Sequence, residues 1–254
     1  MARYKLTLAY DGSGFAGSQR QAVAKTRTVQ AELEKALRTL GWTGRSVILS
    51  GRTDTGVHAT GQVAAMDLDW SHPEGDLVRA LNSALPDDVA VWSANVVDDK
   101  FHARFDATSR CYQYRVFCQP LRDPIRERYA WRVQPAVNPA LLVAAAKFLA
   151  GAHDFSAFGS PTTPKGTTVR TVMKAEWQQV GEDGWQFEVQ ADAFLYRMVR
   201  RLVFVQVAVA QGKTSVEAVA NALAKPLPAG TRSGLPSGLA PAHGLTLVEV
   251  RYKE

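Results

Sequence analysis

The sequence predicts an α+β protein, because two hydrophobic periods succeed each other along its 254 residues. In several short segments apolar residues alternate with polar ones, which is typical of half-buried strands, and in others they recur every three or four positions, which is typical of helices. Hydrophobic residues make up 46% of the chain, enough for a substantial core. A chain of this length forms one large domain or two modest ones.

The first half is predicted to run strand, helix, strand, strand, helix, strand. Its first strand ends at the turn signal Asp11-Gly12-Ser13-Gly14, and its first helix extends from Thr28, a good N-cap, to a glycine stop at Gly41. The other helix ends before Pro86. The remaining predicted elements are strands at residues 47–49, 63–68 and 89–97 and a helix at residues 75–85.

A second α/β pattern begins near residue 105, so the predicted halves are residues 1–104 and 105–254. A hairpin is predicted around Gly181-Glu182-Asp183-Gly184, and the proline- and glycine-rich residues 224–244 are predicted to form a loop. The other predicted elements are strands at residues 110–119, 169–179, 185–191 and 245–252 and helices at residues 139–149, 194–211 and 215–224.

The charge of the chain favours a polyanionic partner. Thirty Lys and Arg against twenty-four Asp and Glu give a net charge of +6. Residues 101–132 contain seven arginines and three acidic residues, interleaved with aromatic residues, a combination that suits RNA. A solvated surface with scattered ion pairs is the alternative interpretation of the same segment.

The two cysteines, Cys111 and Cys118, are seven residues apart. On an extended strand they would point to opposite faces, and neither a disulfide nor zinc-ligand spacing is evident, so a reducing, cytoplasmic compartment is expected. The early turn at residues 11–14 argues against a signal peptide, and no apolar stretch approaches the roughly 20 residues of a membrane span. A soluble protein is expected.

A polar segment at residues 50–63 lies between two apolar runs and carries three glycines within eleven residues. Glycines let a backbone turn tightly and approach a partner, so Arg52, Asp54 and His58 are predicted to lie at an exposed loop tip, where chemistry is commonly placed. The alternative is an ordinary turn in which Asp54 bonds local amides and Arg52 is a solvated charge.

This segment resembles the signature loop of TruA-type tRNA pseudouridine synthases in Gly51-Arg52-Thr53-Asp54, Gly56-Val57-His58-Ala59 and Gly61-Gln62-Val63. The resemblance continues over nearly the whole chain, in Tyr10-Asp11-Gly12, Gln19-Arg20-Gln21, Thr28-Val29-Gln30, Phe101-His102-Ala103-Arg104-Phe105, Arg110-Cys111-Tyr112-Gln113-Tyr114, Phe194-Leu195-Tyr196-Arg197-Met198-Val199-Arg200 and Gly244-Leu245.

The resemblance implies two ferredoxin-like (RRM-like) halves that share an extended antiparallel sheet with a central basic cleft. The first half would carry the catalytic Asp loop, and the second the Tyr strand and a basic helix. The implied activity is conversion of uridine to pseudouridine in the anticodon stem-loop of tRNA, at positions 38 to 40, by a cytoplasmic homodimer.

The implied reaction breaks the N1 glycosidic bond of uridine, turns the base and rejoins it through C5. It needs no cofactor, and no cofactor motif is present. By resemblance Asp54 attacks a carbon or abstracts a proton, two roles that stay open. Arg52 is expected to keep Asp54 ionised and to reach the base or a phosphate. Tyr112 matches the tyrosine that stacks on the target base, the alternative being a buried strand tyrosine.

The resemblance also implies a set of residues that contact the substrate RNA, with no metal ligand among them. Two positions depart from the family pattern: Ser18 stands where a tryptophan is usual, and Phe204 where a glycine is usual. The expected substrate and RNA contacts are Arg20, His58, Gln62, Arg104, Arg110, Arg200 and Leu245. The alternative for His58 is a loop histidine bonded to the backbone, and the alternative for Leu245 is a core residue at the start of a strand.

Two rival functions use the same residues. A non-catalytic tRNA-binding protein or RNA chaperone would grip RNA with the basic cleft while Asp54 only orders a turn. Hydrolysis or phosphoryl transfer through Asp54 would need a second carboxylate or a metal cluster, and neither is visible in the sequence. The combination of Arg52, Asp54 and Tyr112 favours the synthase.

Overall fold

The computed structural model describes residues 1–21, 26–163, 166–224, 226–227 and 233–253. The chain forms two compact units, Met1–Thr108 with Thr246–Glu254 and Ser109–Leu245. The predicted halves met between residues 104 and 105, and the last strand was expected in the second half. In the structure nearly all of that strand clusters with the first unit instead.

Unit 1 contains a mixed β-sheet with two helices, and its chain order is the predicted strand, helix, strand, strand, helix, strand. The strands lie in the order β4-β1-β3-β10, and β2 pairs with β3. The elements are β1 (Ala2–Tyr10), α1 (Val29–Thr39), β2 (Ile48–Leu49), β3 (His58–Leu68), α2 (Glu74–Ala84), β4 (Val89–Val97) and most of β10 (Leu245–Tyr252).

The core of unit 1 follows from strand alternation and helix amphipathicity. Every second residue of β1, from Tyr4 to Tyr10, is buried. Helix α1 begins where the Thr28 hydroxyl accepts the Ala31 N–H at 3.3 Å, and it buries Leu33 and Leu37 one turn apart.

Unit 2 contains the antiparallel order β5-β9-β8-β7, with the short β6 paired to β5. Helix α4 is buried along most of its length, as expected of a helix that is apolar on nearly all faces. The elements are most of β5 (Ala107–Phe117), β6 (Trp131–Arg132), α3 (Pro139–Lys147), β7 (Gly151–Asp154), β8 (Val169–Val180), β9 (Gly184–Ala191), α4 (Met198–Ala210) and α5 (Val216–Ala224).

The predicted α+β class is confirmed, but the antiparallel description is wrong at two pairings. Strand β10 runs parallel to β3, and β6 runs parallel to β5. A tight hairpin imposes antiparallel pairing, whereas a connection of about a dozen residues or more permits a parallel one. The chain that leads into β6 and the chain that separates β3 from β10 both exceed that length.

Two predicted elements begin four or more residues away from their observed start. Strand β3 begins at His58, five residues before the predicted start, because Ala59 and Gln62 already pair with β1. Helix α4 begins at Met198 rather than 194, because Arg197 adopts a left-handed φ of 62° that a helix cannot continue through.

Part of the predicted loop at residues 224–244, namely residues 225 and 228–232, lies outside the described residues. Its described end contains a 3₁₀ turn at Ala242–Gly244. Within the described part of the chain, no helix is both long and apolar enough to cross a membrane.

Candidate active site

The segment between β2 and β3 forms a tight turn that presents Asp54. The Val57 N–H donates to the Asp54 carbonyl at 3.1 Å, and Gly56 takes a φ of 78°, the positive value that a type II turn needs at its third residue. Arg52 is exposed, Asp54 is half-buried, and Thr53 between them is buried. The backbone therefore directs Thr53 inward and leaves Arg52 and Asp54 towards solvent.

Thr53 is held through all three of its polar groups. Its N–H donates to the Ser18 hydroxyl at 2.9 Å, and its carbonyl accepts the Ser18 N–H at 3.2 Å. Its hydroxyl shares a hydrogen bond of 2.9 Å with the Tyr10 hydroxyl. Ser18, one of the two departures from the family pattern, is fully buried and so is no surface for an RNA contact.

Gln62 lies beneath the turn and is fully buried. Its side-chain oxygen accepts the Ser50 hydroxyl at 2.7 Å, and its amide donates to the Gly51 carbonyl at 3.1 Å and to the Tyr10 hydroxyl at 3.4 Å. A side chain with these buried partners braces the loop from below. The direct RNA contact predicted for Gln62 is therefore revised to a supporting position.

His58 ends the turn, and only 5% of it is exposed. Its Nδ1 accepts the Gly12 N–H at 3.0 Å and lies 3.1 Å from an Asp11 carboxylate oxygen. A β-carbon on Gly12 would stand 2.0 Å from the Val57 carbonyl oxygen, so only glycine permits this approach. His58 thus secures the end of the loop, and its bond to the Gly12 N–H matches the alternative of a loop histidine bonded to the backbone.

Burial also acts on the ionisation of the tyrosine under the turn. It raises the pKa of Tyr10 above its ordinary value of 10.0, and hydrogen bonds to Thr53, Gln62 and Ser18 oppose the rise. The hydroxyl therefore stays protonated at neutral pH and acts as a structural hydrogen-bonding group.

The two other predicted contacts of unit 1 lie at its surface. Arg20 is partly exposed and forms an ion pair of 2.8 Å with Glu34, whose carboxylate is almost completely buried. Arg104 is exposed, and its guanidinium lies 5.9 Å from the centre of the exposed Phe105 ring.

Two predicted site residues lie on β5 in unit 2. Tyr112 pairs with Val189 of β9 and is 8% exposed, and its ring lies nearly perpendicular to the Phe194 ring at a centroid distance of 5.1 Å. Arg110 donates to the Asp192 carbonyl at 2.9 Å. Both side chains are fixed by neighbours, which suits a preorganised site.

The other predicted residues of unit 2, Arg200 and Leu245, lie near the end of the long loop. Arg200 donates from Nε to the Ala240 carbonyl at 2.8 Å, and its own carbonyl accepts the Ala240 N–H at 3.2 Å. Leu245 is buried. Phe204, the second departure, lies parallel to Trp131 at a centroid distance of 6.3 Å and so packs within unit 2.

Sequence reasoning missed the contacts made by Tyr114. The ring is fully buried, and its hydroxyl donates to the Pro241 carbonyl at 2.8 Å. Burial raises the pKa of Tyr114 well above 10.0. Its only signal in the sequence was alternation with Tyr112 on the same strand, which does not reveal which tyrosine is more deeply buried.

The arginine-rich segment is partly neutralised within the protein. Arg126 forms a bidentate pair with Asp183 at 2.8 and 3.0 Å, while Arg122 and Arg132 share Glu127. Bidentate pairing holds a guanidinium in place and lowers its availability to phosphate. Surface ion pairs thus explain part of a segment that composition alone assigned to RNA.

Among the described residues, no group of three or more His, Cys, Asp or Glu side chains is arranged to hold a metal ion. The chemistry available at the turn is that of a half-buried carboxylate on a braced backbone. Such a group serves as a nucleophile or as a base.

Comparison with known proteins places this arrangement in a family. The family model described as tRNA pseudouridine synthase matches residues 7–106 and 145–253. The chain is 43% identical to the tRNA pseudouridine synthase A of Solidesulfovibrio magneticus over 256 residues, 99% of this chain and 92% of that protein. It is 40% identical to the enzyme of the same name from Bacillus subtilis over 253 residues, 98% and 99% of the two chains.

The chain therefore belongs to the tRNA pseudouridine synthase family, an isomerase family. The resemblance found in the sequence is confirmed, and with it the assignment as an enzyme that converts uridine to pseudouridine in tRNA. The segment with Tyr112 lies between the two matched stretches.

Proposed function

We propose that this protein isomerises uridine to pseudouridine in the anticodon stem-loop of tRNA, at positions 38 to 40, with Asp54 as the catalytic carboxylate. The observation that carries the proposal is the turn at Asp54. It is the only carboxylate in residues 50–63, and it is half-buried next to a residue whose three polar groups are all hydrogen-bonded inside the unit.

The chemistry assigns a distinct task to each catalytic residue. Asp54 attacks a carbon or removes a proton and later leaves, which a carboxylate is able to do. Arg52, two residues earlier and exposed, meets the base or a phosphate. Tyr112 stacks on the target base and relays the C5 proton.

A uridine in a stem must leave its stack before Asp54 reaches the sugar. Base flipping of this kind costs a few kcal/mol. Arg52 is exposed at the tip and has the length to fill the gap, whereas the burial of His58 assigns that residue to bracing the loop. Arg20, Arg104, Arg110 and Arg200 supply contacts to RNA, and Leu245 lines the uracil pocket.

The finer architecture is part of the same proposal. Each unit is a ferredoxin-like half, the first carrying the Asp54 turn and the second carrying Tyr112 and the helix with Arg200. The protein acts in the cytoplasm as a homodimer that reads the stem-loop by shape.

The test is to map pseudouridine in tRNA before and after treatment with the purified protein. New pseudouridine confined to positions 38 to 40 is the expected result, with Asp54→Asn protein as the matched control that leaves those uridines unchanged. Modification elsewhere would overturn the assigned position. Binding of tRNA with no modification by the wild-type chain would favour the non-catalytic RNA-binding alternative.

A further inference from the structure

Ser18 forms two hydrogen bonds with the backbone of Thr53, the residue directly before Asp54. The Ser18 hydroxyl accepts the Thr53 N–H at 2.9 Å, and the Ser18 N–H donates to the Thr53 carbonyl at 3.2 Å. Ser18 is 0% exposed and Thr53 is 7% exposed. Since both backbone polar groups of Thr53 bond to one residue, the peptide planes on either side of Thr53 are fixed in position and in orientation.

The two chain segments also touch backbone to backbone. Gly17 has a φ of 100°, and a β-carbon on it would stand 2.9 Å from the Thr53 carbonyl oxygen and 3.6 Å from the Asp54 carbonyl carbon. The segment at residues 17 and 18 is therefore in direct contact with the backbone that carries the catalytic side chain.

Ser18 is itself anchored to a regular element. Its carbonyl accepts the N–H of Gln30, a buried residue in the first turn of α1. On its other side Thr53 bonds through its hydroxyl to Tyr10 at the end of β1. The backbone next to Asp54 is thus anchored through hydrogen bonds to a helix and a strand, which are more rigid than the loop itself.

We propose that Ser18 is a positioning residue for catalysis, which acts through Thr53 to hold the Asp54 carboxylate in its productive place. The inference rests on the proposed function, because it takes Asp54 as the catalytic group. Ser18 is fully buried and touches no substrate, so it acts on the rate of the chemical step rather than on tRNA binding.

The test compares Ser18→Ala with a matched control, Ser156→Ala. Each change removes one serine hydroxyl that accepts a backbone N–H, from Thr53 in the first case and from Leu227 in the second. Both variants should lose stability, since a backbone N–H is left without its acceptor in each case. Ser156 lies in unit 2, whereas Ser18 and Asp54 lie in unit 1, so only Ser18→Ala should disturb Asp54.

The readouts are the single-turnover rate at saturating enzyme, measured well below the melting temperatures, and the affinity for tRNA. Ser18→Ala should lose about tenfold to 100-fold in rate, because a misplacement on the order of 1 Å at a reacting group costs that much. Its tRNA affinity should stay within about twofold of wild type, and Ser156→Ala should keep the wild-type rate and affinity.

Equal single-turnover rates for the two variants would overturn the inference while leaving Asp54 as the catalytic group. Turnover by Asp54→Asn protein would overturn the proposed function itself. If Ser18→Ala does not fold, amide hydrogen exchange of the wild-type protein decides the matter. A Thr53 N–H as protected as those of β1 supports the hydrogen bond from Thr53 to Ser18. Exchange at the rate of an exposed loop amide refutes that bond.

Discussion

Replacing Tyr10 by phenylalanine tests the polar network under the turn. The change removes one hydroxyl and keeps the ring, so the packing of β1 should persist. Three buried partners lose a hydrogen bond: the Thr53 hydroxyl at 2.9 Å, the Gln62 amide at 3.4 Å and the Ser18 hydroxyl. The shorter bond is the stronger one, and Gln62 keeps its bond to the Gly51 carbonyl.

The expected cost follows from these contacts. A typical buried hydrogen bond contributes about 1 kcal/mol net, and a buried group left unsatisfied costs about 1 to 3 kcal/mol. Tyr10→Phe should therefore lower the free energy of unfolding by about 1 to 3 kcal/mol near pH 8. Urea denaturation of both proteins measures the difference.

The pH dependence of stability provides a second test of the Tyr10 hydroxyl. Burial raises the pKa of Tyr10 in the folded state above 10.0, so the folded protein holds this proton more tightly than the unfolded chain does. Its contribution to stability is complete below about pH 10 and is lost as the pH rises through the folded pKa, at up to about 1.4 kcal/mol per pH unit. The phenylalanine variant lacks this loss of stability at high pH. Ionisation of Tyr114 destabilises both proteins equally, so it does not change the difference between them.

The stability gap between wild type and Tyr10→Phe should therefore narrow between pH 10 and 11. A gap of less than about 0.5 kcal/mol at pH 8 would fall below the smallest net value expected for one hydrogen bond and would refute the network. A gap that stays constant at high pH would refute the raised pKa of Tyr10.

Three further predictions concern the site and its surroundings. Tyr112→Phe should bind tRNA as wild type does but lose about 10² to 10⁴ in single-turnover rate, whereas Tyr112→Ala should also lose about 1 to 3 kcal/mol of binding; a phenylalanine variant as fast as wild type would exclude the proton role. The affinity for tRNA should fall by more than about tenfold between about 50 and 200 mM salt, the loss expected from two phosphate contacts, and a flat response would exclude a basic RNA-binding surface. Gly12→Ala should slow catalysis, because its β-carbon would stand 2.0 Å from the Val57 carbonyl oxygen and displace the end of the turn; an unchanged rate would show that the close approach is unimportant.

The sequence was sufficient for the elements that bury one face. Strand β1 is predicted by its period-two pattern and helix α1 by its period-3.6 pattern, because burial of a single face requires those patterns. The start of α4 was missed because a left-handed Arg197 is a local backbone choice that no pattern of hydrophobicity reports. The parallel pairing of β10 depends on contacts far apart in the chain.

The residues of the candidate site could be predicted from the sequence. Which of them are buried and which are exposed to a substrate could not. Polar residues in a motif around a catalytic carboxylate look like ligand contacts, yet Gln62 and His58 are buried and brace the loop. Nor does the sequence reveal that Ser18 bonds to Thr53, 35 positions away. Burial and long-range hydrogen bonds are properties of the folded chain, and they separate the residues that support Asp54 from the residues able to meet RNA.

The activity of Asp54→Asn protein tests most directly whether Asp54 carries out the isomerisation. The substitution preserves size and removes the negative charge, while the braces on Thr53 and His58 remain. We expect no detectable pseudouridine in tRNA after prolonged incubation, together with tRNA affinity within a few-fold of wild type because phosphate contacts persist. Multiple turnover by pure Asp54→Asn protein would exclude Asp54 as the catalytic carboxylate.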